Sequence, residues 1–260
     1  MGKVSIAVLD GDPVAAEVPP DEHGLGAVTT KALFARQSQS LLLRYQFLAP
    51  GGALQWTNAR ADHCVFVIGG AIDVGGVHID EGGVVIVEHG GSALVESAGG
   101  AMLAVFEAKC RPERSGGNVH AILHGDVPRK DRFGGDPAME FALFAASDCP
   151  TCALWLHENR FGEDFETGLH SHSEDEIMLV IKGEMILGRR HYGPGTAVAI
   201  AKNTVYGFRA GRGGLRFVNF RASSPTYRRH GTDDDIDEAA ILIEQVGRPG
   251  HIPLGAPLPV

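Results

Sequence analysis

Basic residues are scarce in this chain. Lys and Arg number 23 against 32 Asp and Glu, a formal net charge of −9 over 260 residues. A nucleic-acid surface needs clustered Lys and Arg, so that class of partner is excluded. Long apolar runs are also missing. None approaches the ~18 residues of a membrane span. The apolar stretch at residues 4–9 is too short for a secretory segment, and Ile6 breaks the myristoylation pattern after Gly2. No membrane partner is expected, and a cytoplasmic location is. A nucleotide-binding glycine fingerprint and a Gly-x-Ser-x-Gly elbow are absent too. Cysteines are few: Cys64, Cys110, Cys149 and Cys152. The last two form a CxxC, but a zinc site built from cysteine pairs needs a second pair. Cys149 and Cys152 therefore read as reduced thiols entering a strand, with a local redox role as the other reading.

Glycine is what the chain has in excess, 35 of 260 residues, nearly double the usual ~7%. Glycine permits positive φ in tight turns, so many short connections follow. Between the glycines lie short runs rich in β-branched and aromatic residues, at 41–47, 64–68, 83–87, 102–106, 153–157, 177–181, 197–200 and 215–220. Many short strands at regular spacing predict a sandwich or barrel. One helix is expected, over 233–245, opened by acidic residues. The Pro- and Gly-rich stretch 111–137 reads as an interdomain linker with some local structure, with the charged cluster 129–132 as a solvated face. The two halves repeat each other. Gly70 and Gly183 are 113 residues apart, Gly83 and Gly195 112. A duplicated β-barrel follows.

The strongest local motif is Gly168-Leu-His-Ser-His-Ser-Glu-Asp-Glu-Ile-Met. On an extended strand His170 and His172 lie on one face, and Glu176 is in phase with them. Two imidazoles and a carboxylate can ligate a transition metal. Taken alone, the pattern serves as well for a polar surface loop. Strand phase adds other inward candidates: His157 beside Trp155, Met178 beside Glu176, and Phe208 after Tyr206. Asn159 is expected to point outward. Asn219 and Arg221 lie opposite in phase to Phe220. Arg209, Arg212 and Arg216 are expected to be exposed.

His170-x-His172-x3-Glu176-x6-Gly183 resembles the first signature motif of the cupin superfamily. Residues 188–208 resemble the second, more loosely. The resemblance covers both halves, so the chain looks like a bicupin. It implies an all-β fold of two tandem double-stranded β-helix (jelly-roll) barrels with a short C-terminal helix. The expected divisions are an N-terminal barrel at 1–110, a linker at 111–137, a C-terminal barrel at 138–224, and a helical, Pro-rich tail at 225–260. That tail is expected to wrap a partner subunit. The resemblance carries His170, His172 and Glu176 over as metal ligands. The usual fourth histidine is replaced by Tyr206, which is left as ligand, as catalytic acid/base or as filler. In the first half the corresponding residues are Thr57, Ala59, His63 and Leu94, so the site is lost there. One divalent metal per chain (Fe, Mn, Ni or Zn) is implied. His157, Met178 and Phe208 are the substrate-binding candidates. The expected activity is a metal-dependent, dioxygenase-type oxidation of a small organic substrate. A non-redox isomerase, decarboxylase, lyase or aminohydrolase is the alternative, and a non-catalytic binding protein the third. A homodimer is expected.

These assignments predict that His172→Ala strips most of the metal and leaves the fold intact, while Thr57→Ala changes nothing. Elemental analysis of the two purified variants checks both. Full metal occupancy in His172→Ala contradicts the ligand assignment.

Overall fold

The computed structural model describes residues 4–8, 22–25, 28–34, 40–57, 59–108, 116–152, 154–232 and 234–254. The chain forms two compact units. One contains Met1–Gly11, Pro128–Ser147 and Trp155–Pro249; the other contains Asp12–Val127, Asp148–Leu154 and Gly250–Val260. Each is a strongly curved antiparallel β-structure around its own apolar core, one centred on Trp56, Val65 and Leu103, the other on Trp155, Val180 and Phe217. Among the described residues, no helix is long and apolar enough to cross a membrane.

The expected repeat is visible in the longest hairpins. His63–Val74 and Glu176–Leu187 are both 12-residue strands. Gly70 and Gly183 occupy the same place in each, at φ of 76° and 77°. A Cβ at either would run into a backbone carbonyl, that of Gly100 or of Gly214. Glycine is required there for both reasons, the left-handed backbone and the close approach.

Register sets the interior of the second barrel. His157 pairs with Asn219 and Asn219 with Met178; Trp155 pairs with Arg221. Glu176 stands one step beyond the Ile177–Phe220 pair. Side chains alternate along a strand, so these rows share one face, and that face is the inside.

Several expectations are corrected. Residues 111–115 lie outside the described residues; the rest of the expected linker contains the crossing between the two units, at Val127 and Pro128, and its local structure includes strands. Val119–Ile122 is a strand paired with Val84–Val87, and Arg129–Asp131 pairs with Met139–Ala145. Buried Val119, Ala121 and Ile122 outweigh the surrounding Gly and Pro. The helix is shorter than expected, Glu238–Val246, capped by Asp237, whose carboxylate accepts the Ala240 N–H at 2.9 Å. Upstream, Asp234–Ile236 is instead a strand on Tyr227–Arg229; residue 233 lies outside the described residues. In the tail, Ile252–Pro253 pairs with His120 and Ala121 and Leu254 is buried, so this segment packs within its own chain.

Arg129 and Arg216 are not simply solvated. Both reach Glu158, a carboxylate 1% exposed, at 3.3 and 2.7 Å, and Arg160 reaches it at 2.8 Å. Burial raises the Glu158 carboxyl, but the hydrogen bond and charge of Arg216, then Arg160 and Arg129, outweigh it and leave it below its ordinary 4.5. A lowered folded value stabilises the fold above the unfolded value, and the effect is lost as pH falls through the folded one. Glu158→Gln is expected to cost about 3 kcal/mol at neutral pH. The difference from wild type should shrink as pH drops below 4.5. Denaturant titrations across that range check it; a pH-independent difference contradicts it.

Candidate metal centre

The interior of the second barrel gathers every proposed site residue. His170 and Tyr206 exchange backbone hydrogen bonds, each N–H to the other's carbonyl at 2.9 Å. That pairing places their rings side by side, centroids 4.3 Å apart. Two residues on, His172 pairs with Tyr227, whose ring stacks on His170 at 5.0 Å. His170, His172, Glu176 and Tyr206 are all buried.

Both histidines are fixed in a definite orientation. His170 Nδ1 faces the Gly168 carbonyl at 3.0 Å, so Nδ1 carries the proton and the Nε2 lone pair is free. His172 Nδ1 lies 3.1 Å from Glu238 Oε2, and its Nε2 lies 4.0 Å from Glu176 Oε2. A ring nitrogen turned to a carbonyl or a carboxylate is how ligating histidines are oriented in metal sites. Burial lowers the His170 pKa to about 4, so it is neutral.

Glu176 is held from three sides. Tyr206 O–H donates to Oε1. Asn219 Nδ2 donates to Oε2 at 2.9 Å and Arg221 at 2.8 Å. Burial raises the carboxyl, but His172 and Arg221, with the hydrogen bonds from Tyr206 and Asn219, draw it down to about 2. Burial and Glu176 together push the Tyr206 hydroxyl well above its ordinary value, so it keeps its proton. Arg221 also reaches Glu238, the first helical residue, at 3.1 Å. Glu176 and Glu238 thus share one guanidinium.

The donor set fits a divalent metal on chemistry: two imidazoles with Nε2 atoms turned to the site and an ionised carboxylate. The three do not yet bring ligand atoms within 4.8 Å of one another. Tyr206 is placed as a hydrogen-bond donor to Glu176. The expected substrate residues His157, Met178 and Phe208 line a cavity of about 430 Å³ above the centre, whose wall includes Phe141, Phe161 and Phe217. His157 Nδ1 accepts from Trp155 Nε1 at 2.8 Å, and burial lowers its pKa to about 3. Its Nε2–H is thus a donor.

Asn159 is corrected: it is 3% exposed and lines this cavity, because it shares phase with His157. Glu238 was not expected at the site, and Arg221 was named only by its strand phase. Phase with Asn219 could have suggested Arg221, whereas nothing local points to Glu238. In the first barrel His63 occupies the position of Glu176. It lies 3.3 Å from Glu107, which Arg44 meets at 2.9 Å. Ala59 is buried, Leu94 is 39% exposed, and Thr57 is exposed. No ligand set forms from them.

No family model matches the chain, and no curated protein does. Solved structures do. The chain is similar to the Ylba protein of E. coli, with 14% identity over 85% of this chain and 90% of that one, TM-score 0.63. It is also similar to an oxalate decarboxylase of Lactobacillus farciminis solved with formate, with 11% identity, 88% and 91% coverage, TM-score 0.61. A third is the pro-11S globulin of pumpkin, with 11% identity, 80% and 85% coverage, TM-score 0.55. The fold is therefore that of the bicupins, two cupin barrels in one chain. At these identities the likeness is one of fold alone.

Removing Arg221 strips the buried Glu176 and the half-buried Glu238 of their guanidinium. Arg221→Leu is expected to lower stability by about 3–5 kcal/mol, and adding Glu238→Gln should restore part of that. Denaturant melts of both variants check this. A loss below about 1 kcal/mol, the scale of a surface pair, contradicts it.

Proposed function

We propose that this bicupin-fold chain is a metal-dependent enzyme that converts a small organic anion, with dioxygenase-type oxidation as the leading reaction class. The observation that carries this is the pair of imidazoles, His170 and His172, with Nε2 atoms turned to the site beside an ionised Glu176 under an aromatic cavity. Those three residues would hold one ion of Fe, Mn, Ni or Zn. When bound, such an ion supplies a Lewis acid, and in the case of iron a redox centre with positions open to substrate and O2.

The remaining work falls to side chains of this chain. A divalent cation held here beside the Arg221 guanidinium favours an anionic substrate. His157 offers an N–H from one wall. Asn219 lines the cavity with Oδ1 buried and without a hydrogen-bond partner, which suits an O–H or N–H of the substrate. The phenylalanines exclude water. An oxalate decarboxylase solved with formate shares the fold, which accords with a small carboxylate.

Tyr206 favours a second reading, a non-redox isomerase, decarboxylase, lyase or aminohydrolase. Its hydroxyl is buried and protonated next to Glu176, where it can hold a proton for transfer to substrate. Metal identity separates the two. Cys149→Ser protein purified without added metal or chelator is expected to carry about one equivalent by elemental analysis, and adding Tyr206→Phe to leave it in place. Iron with substrate-dependent O2 uptake supports the oxidase reading. Zinc, manganese or nickel without O2 uptake supports the second. Loss of metal in Tyr206→Phe contradicts its place as a donor to Glu176. Failure to take up any of these ions at this centre leaves a binding protein instead.

A further inference from the structure

The unit that lacks the histidine pair has a cluster of its own. Glu88 follows the strand Val84–Val87 and is fully buried. Its Oε2 accepts from Asn118 N at 3.1 Å and Nδ2 at 2.7 Å. Its Oε1 accepts from Thr151 Oγ1 at 2.6 Å and lies 3.0 Å from His120 Nε2. Thr151 sits inside the CxxC. One ligand atom each from Glu88, Cys149 and Cys152 lie within 4.8 Å of one another. They are the only such trio of His, Cys, Asp or Glu among the described residues. Cys152 is buried and Cys149 is partly exposed, which leaves a way in.

We propose that Glu88, Cys149 and Cys152 form a second metal site, for a thiophilic divalent ion of the zinc type. The sequence showed no second cysteine pair; the fold supplies a carboxylate in its place. The Cys-x2-Cys spacing lets two sulfurs reach one ion. Atoms bound to one ion stand at most about 4.6 Å apart, twice the ~2.3 Å Zn–S bond. The three ligand atoms all fall within 4.8 Å of one another, so small side-chain shifts bring them onto one ion.

Charge points the same way. The other fully buried glutamates each meet a guanidinium: Glu107 at 2.9 Å, Glu158 at 2.7 Å and Glu176 at 2.8 Å. Among the described residues Glu88 meets an amide, a hydroxyl and an imidazole, with no guanidinium or ammonium. A buried carboxylate needs a compensating cation, and a divalent ion beside it is one. Binding releases the two thiol protons to solvent. Thr151 Oγ1 is also 3.5 Å from Cys149 Sγ, so its proton can turn from Glu88 to the sulfur when Oε1 takes the ion. His120 and Asn118 keep the carboxylate oriented.

Cobalt(II) is the probe, titrated anaerobically into the reduced full-length chain. Thiolate-to-cobalt charge transfer in the near ultraviolet reports sulfur ligation, which His170, His172 and Glu176 cannot produce. The expected result is a band that zinc abolishes, that Cys149→Ser removes and that His172→Ala leaves in place. Glu88→Gln should weaken cobalt binding roughly tenfold or more. Glu88 is a buried hub, so the partly exposed Cys149→Ser carries the test if that variant does not fold. No charge-transfer band with both thiols reduced overturns the proposal, and so does a band that survives Cys149→Ser. Because His172→Ala is read in the same experiment, failure here is distinct from failure of the histidine centre.

Discussion

A carboxylate and a guanidinium, each 1% exposed at the side chain, meet at 2.8 Å in the second barrel. Such a pair is costly to desolvate and is stable only where its remaining hydrogen-bonding capacity is satisfied. The surroundings of Glu176 and Arg221 answer that demand except at Arg221 Nε, which has no hydrogen-bond partner. Asn219 and Tyr206 complete the carboxylate, and Glu238 takes the far side of the guanidinium. Glu238 in turn faces His172. One ion pair therefore positions the first helical turn, one imidazole and the tyrosine. It also leaves two carboxylates sharing one guanidinium, a setting that suits a divalent cation plus an organic anion.

The two barrels show how one fold diverges. Gly70 and Gly183 perform the same steric task at the same place. The buried polar position is kept as well, but its chemistry is changed. Where the second barrel has Glu176, the first has His63 against Glu107, and Arg44 closes the charge. The first barrel is thus neutralised internally. A glutamate without such a guanidinium partner stands elsewhere in that unit, at Glu88, beside two sulfurs.

Much of this was legible in the chain because it is local. Period-two runs and glycine spacing give the strands and the repeat, and His170, His172 and Glu176 lie within one hairpin. Other features depend on contacts between distant residues. Which face of Trp155–Phe161 points inward is decided by pairing with Arg209–Arg221, so Asn159 was placed on the wrong side. The position of Tyr206 follows from its bridge to His170. Glu238 and Glu88 acquire meaning only once the fold brings them to His172 and to the CxxC. The strands within 116–137 were not legible because glycine and proline dominate its composition, while buried Val119, Ala121, Ile122 and Val127 decide its structure.

Diffraction data collected across the absorption edge of the bound metal test the account most directly. The account predicts an anomalous peak between the Nε2 atoms of His170 and His172 and the carboxylate of Glu176, and none beside His63. Metal-loaded crystals with no peak at the histidine pair, and with Glu176 still held by Arg221, Asn219 and Tyr206, would contradict it.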